Sequence, residues 1–150
     1  MKPVKVGILG LGTVGGGTVN VLKRNAEEIS RRAGCSIEIA QASARDINKP
    51  RICDTSDINL TTSTEDVVNN PEIDVVVELI GGDSLALEMV MRAIANGKHV
   101  VTANKALIAK HGNEIFQAAQ KNGVMVAFEA AVAGGIPIIK AIREGLSGNT

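Results

Sequence analysis

The chain has no tryptophan, no tyrosine and only two phenylalanines, Phe116 and Phe128. Its 16 lysines and arginines are balanced by 16 aspartates and glutamates, so it also has no excess of either charge. A protein that binds nucleic acid usually offers a basic surface to the phosphates, and none is indicated here. We therefore expect no nucleic-acid partner.

Cysteine and long apolar runs are scarce as well. Cys35 and Cys53 form neither a Cys-x-x-Cys pair nor a zinc-like spacing, which favours reduced thiols in a cytoplasmic protein. No apolar run approaches the roughly 20 residues that a membrane span needs. The glycines between Gly10 and Gly17 interrupt the apolar amino terminus, which argues against a signal peptide. The length of 150 residues fits one domain with a core of its own.

The amino terminus carries the most informative motif. An apolar run, Val4–Leu9, leads directly into Gly10-Leu11-Gly12-Thr13-Val14-Gly15, and apolar residues at helical spacing follow. A strand, Gly-x-Gly-x-x-Gly and a helix form the dinucleotide-binding fingerprint. Gly10 permits the tight turn, Gly12 lets the backbone approach a pyrophosphate, and Gly15 lets the helix pack on the strand. The motif predicts a phosphate site at the positive end of the first helix.

Apolar runs alternate with helical patterns along the rest of the chain. This alternation predicts an α/β, Rossmann-type, doubly wound fold, with a mostly parallel sheet and helices on both faces. Asn96-Gly97 and Asn122-Gly123 each end a predicted helix, as expected for glycine in the left-handed position. After Val4–Leu9, further strands are predicted at Ile37–Ser43, 60–62, 73–80, His99–Thr102 and 124–128. Helices are predicted at 13–32, from 63 to before Pro71, at 84–96, 113–122 and 137–144, with an irregular stretch at 46–59.

Ligands bind beyond the carboxyl ends of the strands in such a sheet. The second strand is followed by Arg45 and Asp46. An arginine there can pair with the 2′-phosphate of NADP, whereas a carboxylate holds the ribose of NAD. Arg45 comes first and favours NADP, while Asp46 leaves NAD open. A solvated loop charge is an equally good interpretation of Arg45 from the sequence.

Two further strand ends carry candidate residues. In Glu78-Leu79-Ile80-Gly81-Gly82 the glycines let the backbone pass close to the nicotinamide half of a cofactor, although a plain turn has the same sequence. Glu78 belongs to a strand that we expect to be buried, so it needs a partner or a solvated end. Lys105 follows the strand His99–Thr102 near a helix start, where its charge opposes the helix dipole. It can hold a substrate oxygen or relay its proton during hydride transfer, or it can be an ordinary surface lysine.

Four segments in this order resemble the amino-terminal NAD(P)-binding domain of homoserine dehydrogenase. They are Gly10-Leu11-Gly12-Thr13-Val14-Gly15, Glu78-Leu79-Ile80-Gly81-Gly82, Thr102-Ala103-Asn104-Lys105-Ala106-Leu107-Ile108-Ala109 and the stretch 129–137. The likeness runs from end to end of the chain, and the last two segments are the specific ones. The resemblance implies an oxidoreductase that reduces L-aspartate 4-semialdehyde to L-homoserine with NADPH or NADH, in the synthesis of threonine, methionine and isoleucine.

The resemblance also implies roles for particular residues. Lys105 matches a lysine implicated in catalysis and lies, with Ile80 and Gly81, on the nicotinamide side, while Arg45 holds the adenosine end. The residues that bind the pyrophosphate are Gly10, Gly12, Thr13, Val14 and Gly15. Small residues in the stretch 129–137 leave carbonyl oxygens free for a hard cation, although from the sequence alone a tight loop before a helix beginning at Pro137 is the better explanation. In the family, the matching positions form a structural sodium site, here Glu129, Val132, Gly134 and Ile136.

The family continues into a substrate and dimerisation domain, which supplies a second catalytic lysine and the remaining substrate contacts. We therefore expect residues 1–150 to form a single NAD(P)-binding domain that binds cofactor without turnover, while the full-length enzyme is a homodimer. Two alternatives are another Rossmann oxidoreductase with a lysine after its fifth strand, and a non-enzymatic dinucleotide sensor. The sensor would need an effector segment, such as a DNA-reading helix.

Overall fold

The computed structural model describes residues 4–10, 37–44, 58–81, 84–102 and 104–128. Within these residues the chain forms six strands and three helices. The strands are β1 (Val4–Leu9), β2 (Ile37–Ser43), β3 (Asn59–Thr61), β4 (Val75–Glu78), β5 (His99–Thr102) and β6 (Val126–Phe128). The helices are α1 (Thr64–Val68), α2 (Ser84–Ala95) and α3 (Lys105–Asn122).

All six strands belong to one parallel sheet in the order β3-β2-β1-β4-β5-β6. The strand order reverses between β1 and β4, which are neighbours in the sheet although they are far apart in the chain. A doubly wound sheet binds its ligand in the crevice at this switch point, outside the carboxyl ends of the strands. The Rossmann-type fold predicted from the sequence is confirmed.

Strand β4 shows why the sheet is buried. Val75, Val76 and Val77 are each 2% exposed or less, and their side chains alternate between the two faces. Val75 and Val77 join an apolar cluster with residues of β1 and β2, whereas Val76 packs with residues of α1, α2 and α3. A continuous β-branched run is typical of a parallel strand covered on both sides.

Glycines end the two longer helices as the sequence predicts. Gly97 follows α2 with φ +78°, and Gly123 follows α3 with φ +68°. The amide of Gly123 donates to the carbonyls of Ala119 and Gln120, which closes the last turn of α3. The early helix α1 ends at Val68, before Pro71 as expected.

The main departure from the predicted elements is the start of α3, which begins at Lys105 rather than at residue 113. The side chain of Asn104 caps it by accepting from the amide of Leu107 at 3.0 Å. Gly112 argues against a continuous helix in the sequence, because a glycine inside a helix costs about 1 kcal/mol relative to alanine. The predicted helix therefore begins only after it. The buried side chains of Leu107 and Ile115 pack on the sheet and offset that cost.

The other differences are at element ends. Strand β4 covers four of the eight residues predicted, because only these four pair with β1 and β5. Strand β6 begins two residues late, β3 begins one residue early, and α2 ends one residue early. The predicted helices at 13–32 and 137–144, and the irregular stretch up to residue 57, lie outside the described residues. No helix in the described part of the chain is long and apolar enough to cross a membrane.

The amino-terminal edge of the sheet holds two shielded basic side chains. Lys98 is 3% exposed, and its Nζ donates to the carbonyl oxygens of Asn70 at 2.6 Å and Ile73 at 2.9 Å. His99 Nδ1 accepts from the amide of Met125 at 3.0 Å. Burial lowers the pKa of both Lys98 and His99, and the charge of Asp74 partly opposes this shift. Both residues stabilise the edge opposite to the ligand crevice.

Candidate functional site

Gly10 occupies the switch point of the sheet, directly after β1. Its φ is +90°, a conformation that side chains rarely adopt. An added Cβ would lie 3.0 Å from the carbonyl oxygen of Leu79 and 3.1 Å from the N and Cα atoms of Ile80. These are backbone atoms and cannot rotate away. Glycine is therefore required here both for its conformation and for the close approach of the two strand ends.

Ser43 fixes the entrance to the glycine turn. It is the last residue of β2, it is 2% exposed, and its Oγ accepts from the amide of Gly10 at 3.1 Å. The ends of β1 and β2 are thus joined at the place where the fingerprint predicts a pyrophosphate. Sequence reasoning missed Ser43, although its position as the last residue of a predicted strand, two residues before Arg45, was a usable signal.

The turn after β4 faces this glycine. The amide of Leu79 donates to the carbonyl of Leu9 at 2.9 Å, which extends the contact between β4 and β1. Gly81 is exposed and has φ +81°, and an added Cβ would meet no atom within 4 Å. Its requirement for glycine is therefore conformational rather than steric. The structure brings Gly10 and Ile80 together, as their predicted roles on one cofactor require.

Glu78 ends β4 as a fully buried acid. Its Oε2 accepts from the amide of Ile80 at 2.8 Å, and its Oε1 accepts from the hydroxyl of Thr102 at 3.0 Å. The partner that we expected for Glu78 is thus Thr102, at the end of the neighbouring strand. The hydroxyl of Thr102 also accepts from the amide of Asn104 at 3.0 Å. Thr102 was not predicted as a site residue, since nothing local to it indicates Glu78 as its partner.

Lys105 is the first residue of α3 and is exposed. The first turn of this helix contains no acidic residue, so the ammonium group lies where the helix dipole is positive. Strand β5, which leads to Lys105, is the second neighbour of β1, a separation of about 10 Å across the sheet. The backbone of Lys105 therefore begins at the same edge as Gly10 and Ile80, with a cation available to an electron-rich ligand atom.

Several predicted residues lie outside the described residues. They are the remaining phosphate residues Gly12, Thr13, Val14 and Gly15, the adenosine-end Arg45, and the sodium-site residues Glu129, Val132, Gly134 and Ile136. Among the residues that the structure does describe, no group of three or more histidine, cysteine, aspartate or glutamate side chains could hold a metal ion. The described edge thus offers a constrained glycine turn, a second backbone turn and one lysine.

Comparison with known proteins agrees with this geometry. Residues 10–129 match the family model described as the NAD binding domain of homoserine dehydrogenase. The chain is 72% identical over 149 residues to a homoserine dehydrogenase of Pseudomonas aeruginosa, and 56% identical over 150 residues to one of Neisseria gonorrhoeae. In each case the match covers 99% of this chain and 34% of the relative.

A solved structure gives the same result. The crystal structure of a homoserine dehydrogenase from Thiobacillus denitrificans superposes with a TM-score of 0.82 at 67% sequence identity. The match covers 98% of this chain and 34% of that one. The chain therefore spans about a third of the length of the relatives that it matches.

Proposed function

This chain belongs to the homoserine dehydrogenase family, and we propose that it is the domain with which a full-length homoserine dehydrogenase holds its nicotinamide dinucleotide against L-aspartate 4-semialdehyde. One observation carries the proposal. The backbone of Gly10 and that of Ile80 approach so closely at the switch point that no side chain fits between them. Such a crevice accepts a dinucleotide whose phosphates lie over the glycine turn.

Different residues at the carboxyl edge of the sheet would contact different parts of the cofactor. Gly10 begins the turn that leads to Gly12, Thr13, Val14 and Gly15, whose amides would hold the pyrophosphate. Ile80 and Gly81 would pass along the nicotinamide half. A bound reduced nicotinamide supplies the hydride that converts the aldehyde carbon to an alcohol.

Lys105 would serve the substrate oxygen. Its ammonium group can donate a hydrogen bond to the aldehyde oxygen and stabilise the negative charge that develops there. It can also deliver the proton that completes homoserine. Its position at the start of α3, one strand from the turn of Ile80 and Gly81, supports this role. The second lysine that the resemblance implies would come from the remainder of a full-length enzyme.

The finer properties are proposed on the resemblance and on residue types. NADP is preferred to NAD because Arg45 can pair with a 2′-phosphate. A structural sodium ion would be held by oxygens of Glu129, Val132, Gly134 and Ile136, the type of ligand that hard cations take. For the full-length protein we propose a cytoplasmic homodimer that acts in the synthesis of threonine, methionine and isoleucine. The lack of a Cys-x-x-Cys or zinc-like spacing between Cys35 and Cys53 agrees with a reducing compartment.

Calorimetric titration with NADPH and NADH tests the proposal. We expect the 150-residue chain to bind NADPH more tightly than NADH, and Arg45→Ala to weaken NADPH about 10- to 100-fold, the range for a lost charge-assisted contact, with a smaller effect on NADH. Asp46→Ala is the contrasting variant, because the Asp46 carboxylate cannot pair with a 2′-phosphate and would hold the ribose only in the NAD alternative; it should leave NADPH affinity unchanged. Equal weakening of both cofactors by Arg45→Ala would remove the 2′-phosphate role. If neither NADPH nor NADH binds to the chain, the proposed dinucleotide function itself is overturned.

A further inference from the structure

The turn after β4 and the start of α3 are joined by hydrogen bonds through two buried side chains, those of Glu78 and Thr102. We propose that Glu78 and Thr102 are positioning residues, which hold the nicotinamide-side turn at Ile80 and the helix start at Lys105 in one fixed arrangement. The inference rests on the proposed function, because it assigns a task to residues beneath that same site. Neither side chain reaches solvent: both are 0% exposed.

The first half of the connection is centred on Glu78. It lies opposite Thr102 in the register of β4 and β5, and its two carboxyl oxygens accept separately, one from the amide of Ile80 at 2.8 Å and one from the Thr102 hydroxyl at 3.0 Å. A carboxyl group is a costly choice for a buried position, where another valine would continue the strand. Glu78 instead provides two acceptors that point in different directions along the sheet edge.

The second half runs from Thr102 into α3. The Thr102 hydroxyl donates a hydrogen bond to Glu78 and accepts one from the amide of Asn104 at 3.0 Å. Asn104 then caps the helix through its side chain, which accepts from the amide of Leu107 at 3.0 Å. A continuous series of four hydrogen bonds therefore connects Ile80 with the first turn that carries Lys105. Because each oxygen has a defined donor, the two segments cannot shift independently without losing a buried partner.

The location of this series gives it a function beyond packing. Ile80 is the residue whose backbone closes on Gly10 at the phosphate turn, while Lys105 is the cation proposed for the substrate oxygen. Hydride transfer requires the nicotinamide and the carbonyl to be held in a narrow range of geometry. Glu78 and Thr102 connect the backbone that would locate the first with the helix that would locate the second.

Thr102→Val is the sharpest perturbation, because valine has nearly the same shape and lacks only the hydroxyl. It removes the hydrogen bond that Glu78 accepts from the hydroxyl and the one that the hydroxyl accepts from the Asn104 amide, whereas Thr102→Ser keeps both. Glu78→Gln is a second test: its one carbonyl oxygen can accept from Ile80, but its amide nitrogen cannot accept the proton of Thr102. The control is Lys98→Met at the opposite edge of the sheet, which removes the hydrogen bonds to the carbonyls of Asn70 and Ile73 and touches none of the four hydrogen bonds of the series.

The experiment compares NADPH with adenosine 2′,5′-bisphosphate, a fragment that lacks the nicotinamide half, by titrating each variant of the 150-residue chain. NADPH binding is followed by nicotinamide fluorescence and the fragment by calorimetry. We expect Thr102→Val to weaken NADPH about tenfold, the equivalent of one lost hydrogen bond, and to leave the fragment within about twofold. Thr102→Ser should restore the wild-type affinity, Glu78→Gln should resemble Thr102→Val, and Lys98→Met should bind both ligands normally.

Two results would overturn the positioning role while leaving the proposed function intact. One is wild-type NADPH affinity in Thr102→Val, and the other is equal weakening of NADPH and the fragment. Failure of the unaltered chain to bind either ligand would instead overturn the proposed function. Should Thr102→Val not fold, amide hydrogen exchange of the unaltered protein decides: Ile80 and Asn104 must be protected, and exchange of either amide at the rate of an unstructured peptide contradicts the proposal.

Discussion

Replacement of Gly10 by alanine tests the close approach on which the proposed cofactor site depends. The backbone of Gly10 has φ +90°, and an alanine held in a left-handed conformation costs about 1–2 kcal/mol. The new Cβ would also lie 3.0 Å from Leu79 O and 3.1 Å from two Ile80 backbone atoms. Relieving such overpacking typically costs a further 1–3 kcal/mol or so.

The two contributions sum to about 2–5 kcal/mol, a large part of the 5–15 kcal/mol or so by which a domain of this kind is stable. The substitution Gly97→Ala separates the conformational contribution from the steric one. Gly97 has φ +78° but nothing within 4 Å of an added Cβ, so its substitution carries the conformational cost alone. It also lies after α2, at the edge of the sheet opposite the cofactor crevice.

Urea unfolding at 25 °C measures both variants. We expect Gly10→Ala to lower the free energy of unfolding by about 1–3 kcal/mol more than Gly97→Ala does, with an unchanged m-value. NADPH affinity should fall in Gly10→Ala and remain normal in Gly97→Ala. If the two variants are equally destabilised, the ends of β1 and β4 are not as close as described, and the steric argument for the crevice is wrong.

Two further predictions concern the amino-terminal edge of the sheet. Burial lowers the pKa of His99 in the folded protein below its ordinary 6.5. At a pH between the lowered pKa and 6.5, the unfolded chain binds more protons than the folded one. The free energy of unfolding therefore decreases as the pH falls from 7 to 5. Urea unfolding at both pH values should show this loss, and His99→Gln should reduce it; an unchanged slope would contradict the assignment. Lys98→Met should lower the free energy of unfolding by about 1–3 kcal/mol at pH 7, because the carbonyls of Asn70 and Ile73 lose their donor. Wild-type stability of that variant would mean that water replaces the donor.

The elements that could be predicted from the sequence are those whose causes are local. The β-branched run of β4, the left-handed glycines Gly97 and Gly123, and the glycine at the end of β1 each follow from what one residue type permits. The start of α3 was missed, although Asn104 has the side chain of a good N-cap, because Gly112 interrupts the helical pattern that follows. Here the buried side chains of the helix outweighed the local signal.

Contacts between strand ends could not be predicted in this way. Ser43 meets the amide of Gly10 from 33 residues away, and Thr102 meets Glu78 from 24 residues away. Both pairs depend on which strands are neighbours and on their register, which no single segment encodes. The sequence indicated that Glu78 needed a partner, but only the pairing of β4 with β5 identifies it.

The register also explains why the site forms at this edge. Leu9 is paired with Ser43 on one side and Glu78 on the other, and the same row continues through Thr61 on β3 and Thr102 on β5. Four residues of this final row are therefore polar, in a sheet whose interior is mostly apolar.

In three of these four residues, the side chain accepts from the amide two positions further along the chain. Thr61 accepts from Ser63 at 3.1 Å, Glu78 from Ile80 at 2.8 Å, and Thr102 from Asn104 at 3.0 Å. The fourth, Ser43, accepts from the glycine turn of the neighbouring strand instead. Side chains of this kind satisfy backbone amides where the ladder of the sheet stops. The first described residues after these strands are thus attached to the last row of the sheet, which holds the starts of the turns at Gly10, Ile80 and Asn104 in place.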